Sequence, residues 1–252
     1  MDDIRVTKGV ARYTSNFTPP TAGFSTLTPV EPYFHNNSLL LHGDGTNGST
    51  TFTDSSINNF TVTSYGNAQI STTQSKFGGA SMYFDSVDDR LTLPSDSKFA
   101  FGTGDFTIEM WKYSEDISGS TQRGLLQISS TTGGLETGLA GTAGVAIWYG
   151  SAGVFRVDAG GVTVTCSISL LQNTWYHVAY TRSGNVHRLF IDGTERGSTT
   201  ATAGNITAQN LVVGGVYSTS FLYKGYLDDL RITKGVARHT ANFTPPTSAF
   251  PD

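Results

Sequence analysis

WYHVAYTRSGNVHRLFIDG, running from Trp175 to Gly193, consists of two runs of β-branched and aromatic residues divided by Ser183-Gly184-Asn185. Runs of this composition suit a pleated surface, and the glycine in the divider can take the positive φ that a tight turn demands. The stretch therefore predicts a β-hairpin. Upstream, DFTIEMWKY from Asp105 to Tyr113 alternates Phe106, Ile108 and Met110 against Thr107, Glu109 and Trp111. A two-residue period is that of a strand between unlike faces. Trp111 and Trp175 are expected in the core, and Glu109 as an exposed or paired strand residue.

Further strands are expected in SLLLHG (38–43), ASMYFDS (80–86), DRLTLP (89–94), GLLQIS (124–129), VAIWYG (145–150), GVFRVD (153–158), NLVVGG (210–215) and YLDDLRI (226–232). Between them lie abundant Thr and 29 glycines, and no segment is long enough for a crossover helix. Each strand has one apolar face to cover, so two antiparallel sheets packed face to face, an all-β jelly-roll sandwich, are the natural solution. In YLDDLRI, Asp228 shares phase with Leu230 and Ile232 and is expected to point inward. A carboxylate there has to be hydrogen-bonded or paired, because an isolated buried charge is very costly.

The chain also repeats itself. DDIRVTKGVARYTSNFTPPTAGF, from Asp2 to Phe24, returns as DDLRITKGVARHTANFTPPTSAF from Asp228 to Phe250, with seventeen of twenty-three positions identical. A match of this length is the trace of a tandem unit. The expected organisation is an arm over 1–24 that duplicates the end of a preceding repeat, a linker over 25–37, and one sandwich over 38–252. That sandwich should end in a strap over 234–252, with a helical turn in ARHTANF, and SLLLHG should lie beside YLDDLRI. An arm whose own partners are upstream could join copies of the chain into a homo-oligomer.

Charge is sparse, at 14% of residues, and the net charge is −4. A nucleic-acid partner is therefore not expected. No apolar run approaches the ~20 residues of a membrane span, so no membrane insertion is expected. The one cysteine, Cys166, sits in a strand-like run and reads as a small buried hydrophobe.

SLLLHGDGTNGSTTFTDSS, SKFGGASMYFDSVDDRLTLP, NTWYHVAYTRSGNVHRLFIDGTERGS and KGYLDDLRITKGVAR, in this order, resemble successive blocks of the laminin G-like branch of the concanavalin A-like lectin/glucanase superfamily. The ending ITKGVAR-x-T-x-NFTPPT resembles tandem copies in bacteriophage tail and fibre proteins. The resemblance implies a jelly roll used for binding or display, although function on one fold varies widely.

The superfamily includes glycosidases, and a retaining glycosidase needs two carboxylates ~5 to 5.5 Å apart. No strand presents such a pair, so no catalysis is expected. The histidines show no zinc-ligand spacing. Calcium is the plausible ion, as one structural ion at acid-rich loops, with Asp44, Asp54, Asp228 and Asp229 as its expected ligands; the competing role for Asp44 and Asp54 is bonding turn amides. For a glycan, exposed rings that stack on a sugar face are the useful chemistry, and Trp148, Tyr149, Tyr217, Phe221 and Tyr223 sit beside Gly and Ser near strand ends. The expected function is non-enzymatic: an adhesion module on a virion or extracellular surface that binds a cell-surface glycan. The alternatives are a structural module that contacts other virion subunits and, from another class, a glycoside hydrolase.

Overall fold

The computed structural model describes residues 15–18, 31–117, 122–130, 143–150, 153–202, 204–216 and 221–252. The chain divides into two units, Met1–Pro32 and Tyr33–Asp252. Of the first, only 15–18 and 31–32 are described, so most of the expected arm and residues 25–30 of the expected linker lie outside the described residues.

The second unit is all-β. Among the described residues its strands are β1 Asn37–Leu41, β2 Thr63–Tyr65, β3 Gln69–Ser71, β4 Ser81–Asp85, β5 Arg90–Thr92, β6 Phe106–Ser114, β7 Arg123–Ser129, β8 Val145–Tyr149, β9 Val154–Ala159, β10 Val162–Ser167, β11 Trp175–Ser183, β12 Val186–Ile191, β13 Thr194–Thr200, β14 Asn210–Val213 and β15 Lys224–Lys234. They form two antiparallel sheets. Sheet A runs β13-β12-β11-β6-β15-β4-β3, with β1 also on β15, and sheet B runs β10-β9-β8-β7-β14-β5-β2. The hairpin expected at 175–193 is β11–β12, with Ser183 opposite Val186 and Gly184 at φ +56° in the turn. β1 pairs with β15 as expected, Leu41 facing Leu230 and Asn37 facing Thr233.

The two inner faces supply the core, including Leu39, Ile70, Met82, Ile108 and Met110 from sheet A and Leu126, Ile147, Val157 and Leu211 from sheet B. Burying each such side chain contributes about 1.5–3 kcal/mol. The single cysteine is buried among them, as expected.

Asp228 corrects the alternation drawn from sequence. It is 1% exposed and accepts from the amides of Lys76 (2.6 Å) and Phe77 (3.1 Å), so it is buried and partnered. Its strand neighbour, however, is Trp111, whereas Arg231 pairs with Glu109: between these pairings one residue on β6, Met110, opposes two on β15, Asp229 and Leu230. The extra residue is a β-bulge, with Asp229 at φ +48°, and it flips the phase between Asp228 and Leu230. Asp228 thus faces away from the inter-sheet core and is covered by the loop carrying Lys76 and Phe77. Trp111 shares this outer face, under the Lys76 ammonium at 3.8 Å and edge-on to Phe77.

The segment after β15 is an extended strap with no helical turn. It crosses the outer face of sheet A: His239 stacks on Phe243 with ring centroids 3.6 Å apart, Phe243 packs on Phe190 and His177, and the Phe250 ring lies 3.6 Å from the Arg231 guanidinium. Beneath it sits Glu109, fully buried and tied into a charge network. Arg231 donates to Oε1 through Nε (3.0 Å) and a terminal nitrogen (2.7 Å), and His239 Nε2 lies 2.9 Å from Oε2. Burial alone would raise the Glu109 carboxyl, but Arg231 and the two histidines outweigh it and hold the group well below the usual range.

Lys112 has the opposite fate. It is buried between the sheets, where Nζ donates to Ser114 Oγ (2.8 Å) and lies over the rings of Tyr149 (4.4 Å), Phe155 and Tyr176 (both 5.5 Å). Burial lowers its pKa to about 7.

These two sites predict contrasting variants. Glu109→Ala strands Arg231 under the strap and should cost about 3–5 kcal/mol in denaturant unfolding. Lys112→Met removes a group that loses its proton on folding. In the native protein the stability held back by Lys112 is regained as pH rises from about 7 toward the unfolded lysine value near 10.4. The Met variant should gain on the order of 1–4 kcal/mol at pH 7 and lose that rise with pH, measured by urea melts at pH 7, 8 and 9.

Candidate functional site

Two regions gather polar side chains around the positions singled out by sequence. The first is the corner of sheet A at the bulge. His42 Nδ1 lies 2.6 Å from Asp229 Oδ1 and Nε2 lies 2.9 Å from Asp252 Oδ1, while Asp229 Oδ2 accepts from the Phe250 amide at 2.8 Å. Burial alone would lower the imidazole pKa, but the bonds to Asp229 and Asp252 and the two carboxylate charges raise it to about 9. Burial, reinforced by the charges of Asp229 and Asp44, pushes Asp228 up to about 7 against the pull of the Phe77 and Lys76 amides. The corner therefore carries its own cation, the His42 imidazolium.

Of the acids expected to bind calcium, Asp44 is exposed in the loop after β1. Asp54 is engaged in its own turn, accepting from the amides of Leu40 (3.1 Å), Ser56 (2.9 Å) and Phe60 (2.8 Å) and from the Ser56 hydroxyl (2.9 Å). Asp228 accepts two backbone amides on Oδ2, and Asp229 has His42 on Oδ1 and the Phe250 amide on Oδ2. Such donors compete with a cation for the same lone pairs. Among the described residues the acidic trio close enough to share an ion is Asp85, Asp88 and Asp89, with ligand atoms within 4.8 Å of one another. Asp89 there accepts from the amides of Asn67 (2.7 Å) and Asp85 (2.8 Å).

The second region is the outer face of sheet B. Strand alternation turns Tyr149 inward, where it is 2% exposed and donates to Ser114 Oγ (3.0 Å), and it turns Trp148 outward. Tyr223 is fully buried with Phe84 and Tyr149 against its ring, and Tyr217 lies outside the described residues. Phe221 is half-buried, in the loop whose Gly215–Val216 backbone packs against Gly124. Gly124 pairs with Trp148, and a Cβ there would lie 2.3 Å from Val216 N, so only glycine admits the loop. Of the five aromatics expected at a ligand site, Trp148 therefore stands on an outward sheet face.

Around Trp148 the register brings polar groups into rows. Arg156 faces Trp148 across β8–β9 and pairs with Thr165 on β10; Asp158 faces Ala146 and Thr163; Gln127 faces Ala146 on one side and Val212 on the other; Ser129 faces Asn210. Asp158 is the hub. Its two oxygens take Arg156 Nε at 2.9 and 2.8 Å, Oδ1 takes the Thr163 hydroxyl at 2.5 Å, and Oδ2 takes Trp148 Nε1 at 3.3 Å. The Arg156 guanidinium also lies over the indole at 5.5 Å. Asn210 donates to the Ser129 carbonyl at 3.2 Å, and its own Oδ1 is a buried acceptor without a donor. The sequence did carry a signal for this cluster: Arg156 and Asp158, two apart in FRVD, must share a face, and that face is not the one bearing Phe155 and Val157.

The corner generates a test with two arms. His42 is bound more tightly to its proton in the folded state, so its stabilising contribution is fully present below about pH 6.5 and is lost as pH rises through about 9. The Tm gap between wild type and His42→Gln should therefore shrink across that window. Millimolar calcium and a chelator should both leave the wild-type Tm unchanged; a calcium-dependent rise would mean that an ion competes for this corner.

A family model described as the concanavalin A-like lectin/glucanases superfamily matches residues 85–240. No curated protein matches the chain. Among solved structures, domain 4 of AbnA, an extracellular arabinanase of glycoside hydrolase family 43 from Geobacillus stearothermophilus in complex with arabinotriose, is similar at 15% identity and TM-score 0.57, covering 81% of this chain and 95% of that one. The receptor-binding domain of botulinum neurotoxin D is similar at 14% identity and TM-score 0.60, covering 81% of this chain and 51% of that one. The binding domain of botulinum neurotoxin DC in complex with SialylT gives 13% identity and TM-score 0.55, with 81% and 49% covered. This chain thus spans about half the length of the toxin domains. At these identities the likeness is one of fold, and it agrees with the two-sheet sandwich described above. With the family model covering well over half of its residues, the chain belongs to the concanavalin A-like lectin/glucanase superfamily.

Proposed function

We propose that this sandwich is a non-enzymatic carbohydrate-binding module that holds a glycan on the outer face of sheet B. The observation that carries the reading is the outward strand position of Trp148: its side chain is half-buried, with the remainder of the indole at the surface where a sugar could pack, and Arg156, Asp158 and Thr163 are netted beside it. Complexes of similar folds with arabinotriose and SialylT support a glycan as the partner class. Against catalysis stands Glu109, the strand glutamate, which is fully buried and held ionised by Arg231, so it can neither reach a glycosidic oxygen nor supply a proton. Asp228 has the raised pKa of a general acid but is 1% exposed and bound to two amides. The virion or extracellular setting is part of the proposal; it is supported by the repeat of Asp2–Phe24 in Asp228–Phe250 and by the resemblance of that ending to phage tail and fibre proteins.

The test is Trp148→Ala. The side chain is half-buried on a sheet exterior, so the variant should melt within a few degrees of wild type yet lose at least about tenfold in affinity for whichever glycan an array identifies. Unchanged affinity would remove Trp148, and with it this face, from the function.

A further inference from the structure

Going beyond the sheet B reading and independently of it, we infer that the outer face of sheet A carries a glycan site of its own, a row of rings across four strands that takes an extended chain of about four sugar units. The register sets the row. Gln69 on β3 faces Tyr83 on β4, Tyr83 faces Tyr226 on β15, Tyr226 faces Tyr113 on β6, and Tyr113 faces Trp175 on β11. Trp175, expected in the core, stands in this outward row, because Tyr176 and Val178 are the inward residues of β11. The rings meet in succession, with centroids 4.9 Å apart from Tyr83 to Tyr226, 5.7 Å from Tyr226 to Tyr113 and 5.4 Å from Tyr113 to Trp175. Tyr226 in the middle is 4% exposed, while Gln69, Tyr83, Tyr113 and Trp175 are half-buried and keep part of their surface in solvent.

Two features set these rings apart from other outward ones. Trp111 lies under the Lys76 ammonium at 3.8 Å and Tyr65 under the Arg90 guanidinium at 4.2 Å, whereas among the described residues no cation lies over a ring of this row. Nor, among the described residues, do the Tyr83 and Tyr113 hydroxyls, the Trp175 indole N–H or the Gln69 amide have a hydrogen-bond partner. Burial, followed by the charge of Glu115, pushes the Tyr226 hydroxyl up to about 12 and raises that of Tyr83, so both keep their protons at neutral pH. Apolar planes that end in unmet polar tips suit a ligand ring that is apolar on its faces and hydroxylated at its edge, as a sugar is. Size excludes a broader partner. The row is one residue wide, about 7 Å, and three strand spacings long, about 14 Å. Roughly 100 Å² is far below the about 800 Å² that a stable protein interface takes from each partner. On one side the loop of Lys76 and Phe77 stands over Trp111 and Asp228, and on the other Asp85, Lys224 and Glu115 make a polar edge. The strand spacing is close to the rise of one hexose along an extended chain, so successive sugars meet successive rings.

The experiment takes the full chain through affinity electrophoresis on xylan, glucomannan, arabinan, galactan and mixed-linkage β-glucan, then titrates the oligomers of each polymer that binds. Wild-type affinity should rise at least about tenfold from the disaccharide to the tetrasaccharide and change less than about twofold beyond it. Tyr113→Ala and Trp175→Ala should each lose about tenfold or more. Tyr113→Phe, which keeps the ring and its packing, should lose about threefold, and with the wild-type length profile it decides the matter even if an Ala variant fails to fold. Trp148→Ala, run in parallel, tells the two faces apart. Affinity that rises with length and that the row variants weaken supports the row, whatever Trp148→Ala does. Affinity that is flat from disaccharide to tetrasaccharide, or that the row variants leave unchanged, overturns the row; if Trp148→Ala weakens it, the sheet B reading stands. Binding to none of the polymers overturns both.

Discussion

The ion pair between Glu109 and Arg231 is the constraint on which sheet A and its covering depend. It spans β6 and β15, two adjacent strands in the middle of the sheet, and it lies on the face that the strap covers. A carboxylate so fully buried is tolerated only with its lone pairs occupied, and a guanidinium and two imidazoles surround them. One of those imidazoles, His239, belongs to the strap, so satisfying the charge and seating the strap are a single event. The rest of the strap follows from the same anchor: the stack of His239 on Phe243 carries the chain over His177 and Phe190, and Phe250 returns it to Arg231.

The bulge in β15 is coupled to this arrangement. By taking up one extra residue between the pairings to Trp111 and Glu109, it turns both Asp228 and Arg231 to the strap side while Leu227 and Leu230 remain in the core. It also aims Asp229 at His42 and at the Phe250 amide, which fixes the far end of the strap. The outer face of sheet B carries the Trp148–Asp158 cluster beside Gln127, Ser129, Ala146 and Val212, which are all buried. The two faces thus use the same chemistry, carboxylates netted by arginine and aromatic rings, to different ends. On sheet A the net is closed by the protein's own chain. On sheet B it ties β8, β9 and β10 to one another.

The sheets were legible in the sequence wherever a local rule decided them. Gly184 marks the turn of the β11–β12 hairpin, and the two-residue period places Phe106, Ile108 and Met110 inward. The same period separates Trp148 from Tyr149, and applying it within VAIWYG would have removed Tyr149 from the ligand candidates. What escaped was set by long-range pairing. Asp228 reads as inward until the register with Trp111 reveals the extra residue, which nothing in DDL announces. Glu109 reads as either exposed or paired, because its partners Arg231 and His239 lie 122 and 130 residues away. Asp54 reads both as a turn cap and as a metal ligand, and only the fold brings the three amides that cap it together.

The strap also determines how the unit bears load. The chain comes in at Asn37, beside Thr233, and after β15 the strap swings over the sheet and comes back to the opposite end of β1, where Asp252 meets His42. Tension between the two ends of this unit is therefore directed along β1 and the strap, not across them. It must shear the β1–β15 pairing and the Phe250, Phe243 and His239 contacts together. A sandwich strung between a surface and a moving target would resist pulling best in that geometry.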